Sequence, residues 1–288
     1  MHVIAHGGAG GEIDEPAPRQ AAIEEAVARG CDATEPLDAA IATVRFLEAN
    51  PRFNAGVGSA VQSDGVIRTD AGLMSSDGST GAACSMAGVE AAVEVARVVA
   101  METPHVLLAG DRAVALADAY GVPTDCDLWS QNTRERWAAL DPPADESLDV
   151  HLEWVHDQFG GSDTVGAVAT GGERIVAVTS TGGRWCALAG RVGDVPQIGA
   201  GFYASETAAA RATGAGEAIA RFGLARRTVE LVEDGLGPQL AADRAIDRFE
   251  DATGDGAGVI VLDRSGRAGK SYNTDAMQTA VSQSPEER

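Results

Sequence analysis

The sequence predicts a mixed α+β fold in which two stacked β-sheets lie between layers of helices. Three observations carry that prediction. Short apolar runs cluster around the middle and the end of the 288-residue chain, helical periodicities fill the intervals, and 35 glycines with no G-X-Y period mark many tight turns. With 44% apolar residues the chain can bury a large core, as one domain or as two smaller ones.

The elements follow in order. His2 to Ala5 is a short extended run that ends in His6-Gly7-Gly8-Ala9-Gly10-Gly11, a tight glycine turn. A helix spans about Ala17 to Ala28, and a second begins at Pro36, with Leu37, Ala40, Ile41, Val44 and Leu47 on one face, until Asn50-Pro51 stops it. From Asn54 to Ser85, short runs separated by Asp64-Gly65 and Asp77-Gly78 read as antiparallel strands. Helices are expected again at Val89 to Ala100 and at Val106 to Tyr120, broken by Gly121. The acidic, proline-bearing stretch from Asp141 reads as a surface linker running on to Gly161. Thr164 to Thr170 and Arg174 to Ser180, separated by Gly171-Gly172-Glu173, form a strong hairpin signal. Helices over Gly216 to Val232 and Pro238 to Glu250 precede a closing strand pair, Gly258 to Leu262 and Ala268 to Tyr272.

The net charge is -21, from 43 acidic and 22 basic residues, and Lys270 is the one lysine. A surface so loaded with carboxylates resembles that of proteins from salt-accumulating cells, where salt screens the self-repulsion; an ordinary acidic protein that prefers arginine is the other reading. Either argues against nucleic acid and anionic membranes as partners. Cys31, Cys84, Cys126 and Cys186 form no C-x-x-C pair and read as reduced, mostly buried side chains. The first residues lack a basic region followed by an apolar stretch, and no apolar run reaches membrane length, so a cytoplasmic protein is expected. No histidine pair has the H-E-x-x-H spacing, so no catalytic metal is expected, and Gly7 to Gly11 lacks the endings of a phosphate loop.

The chemistry concentrates around Asp163-Thr164, where the linker meets a buried-looking strand. Taken alone, Thr164 is merely a strand's first residue. Its hairpin partner ends in Thr179-Ser180-Thr181-Gly182-Gly183, which can bring Thr181 beside it. Gly190-Arg191-Val192-Gly193-Asp194 then holds an arginine and an acid in a glycine turn, and Thr213-Gly214-Ala215-Gly216-Glu217 offers a hydroxyl and backbone donors at a helix start. Nucleophile, helper, substrate clamp and oxyanion site are the parts an amide hydrolase requires. A threonine hydroxyl needs a nearby base, and the α-amine that cleavage before Thr164 would create is such a base, held on the same residue as the Oγ it activates. A surface ion pair is the plainer reading of Arg191 and Asp194, and a turn cap that of Asn54.

In these motifs the chain resembles the plant-type asparaginase and isoaspartyl peptidase family of N-terminal nucleophile hydrolases. The resemblance runs from His6-Gly7-Gly8-Ala9-Gly10 through Asn54-Ala55-Gly56-Val57-Gly58-Ser59, Thr103-Pro104-His105-Val106 and Asp163-Thr164-Val165-Gly166-Ala167-Val168, and on through Ser180-Thr181-Gly182-Gly183, the Arg191 turn, Gly199-Ala200-Gly201 and Thr213-Gly214 to Asn273-Thr274. It implies a four-layer αββα sandwich formed by one domain, 1–288, that cleaves its own Asp163-Thr164 bond into an α chain, 1–163, and a β chain, 164–288. The two chains would stay together and form a dimer of such pairs. The resemblance makes Thr164 the nucleophile, Thr181 the second threonine beside it, Thr213 and Gly214 the oxyanion donors, and Arg191 and Asp194 the clamp for the substrate's α-carboxylate and α-amine. Asn54 and Gly216 are expected at the substrate. No cofactor is implied, although a sodium ion bound by backbone carbonyls near Leu47 to Asn54 is a family feature.

The implied activity is hydrolysis of L-asparagine and of β-aspartyl dipeptides through a threonine acyl-enzyme. Two departures stand out: Ser162 occupies a position where a histidine or glycine is often found, and Ala215 one where many members carry a bulkier polar residue. The rival readings are a glycosylasparaginase, which shares this chemistry, and an uncut relative that only binds. A serine-triad hydrolase finds no G-x-S-x-G turn.

Overall fold

The computed structural model describes residues 1–11, 15–143, 147–158 and 164–282, and the statements below concern these. Ser162 and Asp163, with the end of the expected linker, lie outside them.

The larger sheet has the strand order β11-β1-β5-β6-β2-β3-β4, and the smaller one β10-β9-β8-β7. In chain order the large-sheet strands are β1 (His2–Gly10), β2 (Arg68–Ser75), β3 (Thr80–Ala87), β4 (Leu107–Ala109), β5 (Val165–Gly171), β6 (Arg174–Thr181) and β11 (Ala276–Val281). The small sheet consists of β7 (Phe202–Ala204), β8 (Ala208–Gly214), β9 (Ala257–Asp263) and β10 (Ala268–Tyr272). Helices α1 (Pro16–Cys31), α2 (Pro36–Glu48) and α3 (Ala92–Glu102) cover the outer face of the large sheet, sharing a core of Ile23, Val44, Leu47 and Val95 with Val165 and Val178. Helices α8 (Leu224–Glu233) and α9 (Pro238–Thr253) cover the small sheet through Val229, Ile246 and Phe249, packed on Ala210, Ala212 and Val259. Between the sheets lie Ile4, Val168, Ile175, Ala177, Phe202, Ala209 and Ile260. The layers are therefore helix, sheet, sheet, helix, as an N-terminal nucleophile hydrolase sandwich requires.

Strand alternation decides what faces the space between the sheets. On β5, Val165, Ala167 and Ala169 pack on the helix side while Val168 points inward; on β6, Val176 and Val178 are outside while Ile175 and Ala177 are inside. On β8, Ala208, Ala210 and Ala212 meet the helices and Ala209 meets the large sheet. By the same parity Thr164, Gly166, Thr179, Thr181, Arg211 and Thr213 all belong to the inner faces.

Several expectations are corrected. Strand β1 does not turn at His6 but continues to Gly10, because Gly8, at φ 116°, absorbs an irregularity in its pairing with β11 between His6 and Ala9. Residues 54–67 form loops closed by one bridge, Val61 to Ile67, instead of strands. The expected helix over Val106 to Tyr120 begins as β4, paired parallel to β3, and becomes helix α4 (Asp111–Ala119) only after Gly110. Gly223, in the left-handed region at φ 74°, divides the expected helix over Gly216 to Val232 into α7 (Gly216–Phe222) and α8.

Part of the expected linker is helical, as α6 (Leu148–Gln158), and α5 (Gln131–Ala138) precedes it. Four tryptophans account for that order: Trp137 meets Trp129, Trp154 and Trp185 edge to face, with ring centroids 6.4, 6.0 and 6.4 Å away. No described helix is long and apolar enough to cross a membrane.

Candidate active site

Thr164 immediately precedes β5 and is only 4% exposed. The antiparallel register pairs Val165 with Ser180, so the next residues outward, Thr164 and Thr181, come together across the strands. Thr164 Oγ1 donates to Thr181 Oγ1 at 3.3 Å, and Thr181 Oγ1 also accepts the Gly183 N–H at 3.0 Å. A separation of seventeen residues along the chain thus becomes one hydrogen bond through a tight hairpin.

From the second sheet, Thr213 reaches the same layer. Its Oγ1 accepts the Ala9 N–H at 3.3 Å, a bond that leaves the hydroxyl proton available to another acceptor. Gly214 follows at φ 130°, and a Cβ there would lie 2.5 Å from the Gly256 carbonyl oxygen, so only glycine can turn the chain from β8 into α7 at this point.

The loop 182–201 brings in Arg191 and Asp194. Arg191 Nε donates to Glu217 Oε1 at 2.8 Å, while Arg184 Nη1 holds the other oxygen, Glu217 Oε2, at 3.2 Å. Burial pushes the Glu217 carboxyl up, but the hydrogen bond and charge of Arg191, with Arg184, outweigh it and bring the group to about 2. That ion pair fixes the arginine and leaves its fork pointing inward. Arg191 Nη2 and Asp194 Oδ2 are both buried with no hydrogen-bond partner among the described residues. The two side chains meet at Gly216, where a Cβ would lie 2.7 Å from Arg191 Nη2 and 2.8 Å from the other Asp194 oxygen, Oδ1. A buried orphan donor beside a buried orphan acceptor is costly in an empty protein and suits a ligand that carries one carboxylate and one ammonium.

Burial raises Asp194 to about 6, opposed chiefly by Arg211 and then by its own backbone hydrogen bond and Arg191, so it is largely ionised at neutral pH. Asn54 serves the wall: its Nδ2 donates to the Gly183 carbonyl at 2.7 Å, and its Oδ1 accepts the Ala60 N–H at 2.7 Å. It ties the loop after α2 to the turn that carries Thr181.

Sequence reasoning missed three groups. Glu217 was noted only as part of a motif, and Arg211 and Asp70 were not singled out. Asp70 pairs in register with Thr181 and accepts the Ser85 N–H at 2.7 Å; burial raises it to about 7, that bond and Arg191 lower it, and Asp194 raises it. An acid inside the apolar run Thr69-Asp70-Ala71-Gly72-Leu73 was the available signal.

A cleft of about 1140 Å³ opens beside the site, bounded by Gly8, Asn54, Trp185, Arg136, Gly214 and Ala215 among others. Thr164, Arg191 and Asp194 do not line it, and Thr164 and Asp194 are buried. No group of three or more metal-ligating side chains occurs among the described residues.

Comparison with known proteins identifies a family and several relatives. A family model described as Asparaginase matches residues 1–288. The chain is 39% identical over 293 residues to the plant-type L-asparaginase of Pyrococcus furiosus, covering 96% of this chain and 95% of that one. It is 34% identical over 291 residues to the isoaspartyl peptidase/L-asparaginase of Xenopus laevis, covering 97% and 91%. It is 36% identical over 252 residues to the isoaspartyl peptidase of Salmonella typhimurium, covering 85% and 80%.

Proposed function

The chain belongs to the asparaginase family whose model matches it throughout, and from that premise we propose that Thr164 is its nucleophile and becomes active when the Asp163-Thr164 bond is cut. The enzyme is a hydrolase that splits the side-chain amide of L-asparagine and the β-aspartyl bond of isoaspartyl peptides. The observation that carries the residue assignment is the pairing of Thr164 with Thr181 beside the orphaned atoms of Arg191 and Asp194.

In the precursor, Thr164 Oγ attacks the Asp163 carbonyl carbon, and the peptide nitrogen leaves as the α-amine of Thr164. Water then hydrolyses the resulting ester, giving a new carboxylate at Asp163 and restoring the hydroxyl. The chain 1–288 becomes an α chain of 163 residues and a β chain of 125. Strands of the two chains are interleaved in the large sheet, with β5 hydrogen-bonded to β1 and β6 to β2, so cutting the connection leaves them paired.

The free amine, with an ordinary pKa of about 7.7 to 8.0, takes the Thr164 hydroxyl proton while Thr181 orients that hydroxyl. Arg191 accepts the substrate α-carboxylate on its fork and Asp194 binds the α-ammonium, which points the β-carbonyl at Thr164. Thr213 Oγ1 and the Gly214 N–H stabilise the tetrahedral oxyanion, a donor of this kind contributing roughly 3 to 4 kcal/mol. Ammonia or the amine of the departing residue leaves, and water releases aspartate from the acyl-threonine. Gly216 supplies room for the clamp.

A sodium ion is further proposed at the end of α2 and the loop that follows it. Gly56 and Gly58, at φ 57° and 89°, pack the chain so tightly on the Glu48 and Pro51 carbonyls that a Cβ would lie 2.3 and 2.6 Å from them, which keeps the loop wound around backbone oxygen. Carbonyls of Leu47 to Asn54 would hold the ion, which would stiffen the loop that Asn54 ties to Gly183. The working enzyme is further proposed to be a cytoplasmic dimer of αβ pairs.

N-terminal sequencing and intact mass of the active protein test the central step. Fragments beginning at Met1 and Thr164 are expected, and Thr164→Ala should give one chain of 288 residues with no asparagine hydrolysis. An active enzyme in which Thr164 remained internal would lack the amine base, and the assignment would fall. Release of aspartate from a sugar-linked asparagine, with none from asparagine itself, would favour the glycosylasparaginase reading.

A further inference from the structure

Strand β8 is built almost wholly of small residues, and its one large side chain, Arg211, is 0% exposed. Parity sends it into the space between the sheets, where it lies across Gly166 of β5: a Cβ on that glycine would sit 2.3 Å from Arg211 Cδ and Nε. Arg211 Nε donates to Thr179 Oγ1 at 2.9 Å, and Nη2 donates to the same oxygen. Nη1 faces His6 Nε2 at 2.6 Å. None of these partners is an anion. His6 already accepts the Gly8 N–H at Nδ1, and burial, then Arg211 and Arg19, hold its pKa well below the usual range, so it adds no compensating charge. Among the described residues, no carboxylate forms an ion pair with Arg211.

A guanidinium buried without a contacting carboxylate is expensive unless charges farther off use its field. Two such groups are within reach. Asp194 is the charge that opposes the burial of Arg211, and Arg211 in turn does more than Arg191 to keep Asp194 ionised. Thr164 stands two residues from Gly166 on the same face of the same strand, roughly 7 Å away along the chain. Arg211 itself is brought down to about 9 by burial and is still charged at neutral pH.

We infer that Arg211 is a positioning residue, a fixed buried cation that keeps Asp194 ionised and the Thr164 amine uncharged, so that clamp and base are in working form together. The inference rests on the proposal that the cut chain uses that amine as its base. The other charged groups facing this pair are Arg191 and Glu217 beside Asp194, Asp70 on β2, and Arg19 and His6 beyond Arg211. Of these, Arg191 acts in the same direction as Arg211 but lies against Glu217 at 2.8 Å, a carboxylate it shares with Arg184, whereas Arg211 touches no carboxylate among the described residues. Both effects have one sign. A nearby cation lowers the pKa of the carboxyl and of the amine, so removing it raises both, and each working form is then lost at a higher pH.

The test is the pH profile of kcat/KM for asparagine in Arg211→Gln and Arg211→Met, each first checked by N-terminal sequencing for cleavage before Thr164. The acid limb should move up by about one pH unit, so that at pH 6.5 the rate falls about tenfold while at pH 9 it stays within about twofold of wild type. Cleaved, folded variants whose acid limb coincides with that of the wild type would overturn the inference and leave the Thr164 reading intact. An active wild type with no Thr164 terminus would instead remove the reading on which it rests. If neither variant folds, a nitrogen-15 NMR titration of the Thr164 amine in the wild type decides: a pKa below the ordinary 7.7 or so of an α-amine supports the inference, and one at or above it refutes it.

Discussion

On the outer face of β6, Ser180 turns toward α2 and donates its hydroxyl to Glu48 at 2.7 Å. On the inner face its neighbours Thr179 and Thr181 turn toward the space between the sheets and hydrogen-bond Arg211 of the second sheet and Thr164 ahead of β5. Both faces bury charge. Glu48 is wholly buried, yet each of its oxygens has a partner: Oε1 accepts from Ser180 and the Val93 N–H, and Oε2 meets Arg45 at 3.4 Å. Among the described residues, the inner face leaves Arg191 Nη2 and Asp194 Oδ2 unmatched and gives Arg211 no contacting carboxylate. A buried charge whose bonds are all made within the protein is structural. One whose bonds are left open is arranged for a molecule that is not yet there.

Breaking the inner face should cost the most activity and the least stability. Asp194→Asn keeps the shape but cannot hold an ammonium ion electrostatically, and kcat/KM for asparagine should fall by about 100-fold or more, the scale of a lost buried charge pair. The melting temperature should stay level or rise, because the unpaired carboxylate is itself a burden on the folded state. Arg191→Lys should behave similarly while still allowing self-cleavage, which needs no free amino acid. A large drop in melting temperature for Asp194→Asn would mean the inner charges are structural after all.

The outer face should show the reverse pattern, read by denaturation at pH 5 and pH 8. Burial raises Glu48 from 4.5 to about 7 against the pull of Ser180, Arg45 and Val93. The folded state therefore binds this proton more tightly than the unfolded chain. Its contribution is fully present below about 4.5 and is lost as pH rises through 7, a change of roughly 3 kcal/mol at most. Glu48→Gln removes that dependence, so wild type should lose stability relative to the variant between pH 5 and pH 8. Parallel curves would show that Glu48 does not titrate in this range.

Salt should separate both faces from the surface. With a net charge of -21, raising potassium chloride from about 0.1 to 2 M should lift the melting temperature by a few degrees, an effect on the order of 1 kcal/mol. The acid limb of kcat/KM should hardly move, because mobile ions screen exposed carboxylates and not the groups between the sheets. Stability independent of salt would deny the acidic shell any halophilic role.

Sequence alone was strongest where structure is local. The β5–β6 hairpin was legible because Gly171-Gly172-Glu173 fixes the turn, the turn fixes the register, and the register brings Thr164 to Thr181. The face of α2 followed from apolar spacing, and the ordered motifs identified the family. The run Ala208-Ala209-Ala210-Arg211-Ala212 carries no strand signal, since alanine favours helix; it is extended because β7 and β9 hydrogen-bond it on both edges. Strand β11 likewise exists because the edge of β1 was open to pair with it.

The site divides the same way. Thr164, Thr181, Arg191, Asp194 and Thr213-Gly214 could be named from motifs, but nothing in the sequence placed Arg211 beneath Gly166, Asp70 opposite Thr181, or Glu217 against Arg191. Those meetings join residues from different sheets, from strands far apart in the chain, and from helix to loop. Hydrogen-bond register and periodicity act over a few residues and are written in the order of the chain. Burial and electric field are set by which surfaces pack together, and only the folded sandwich decides that.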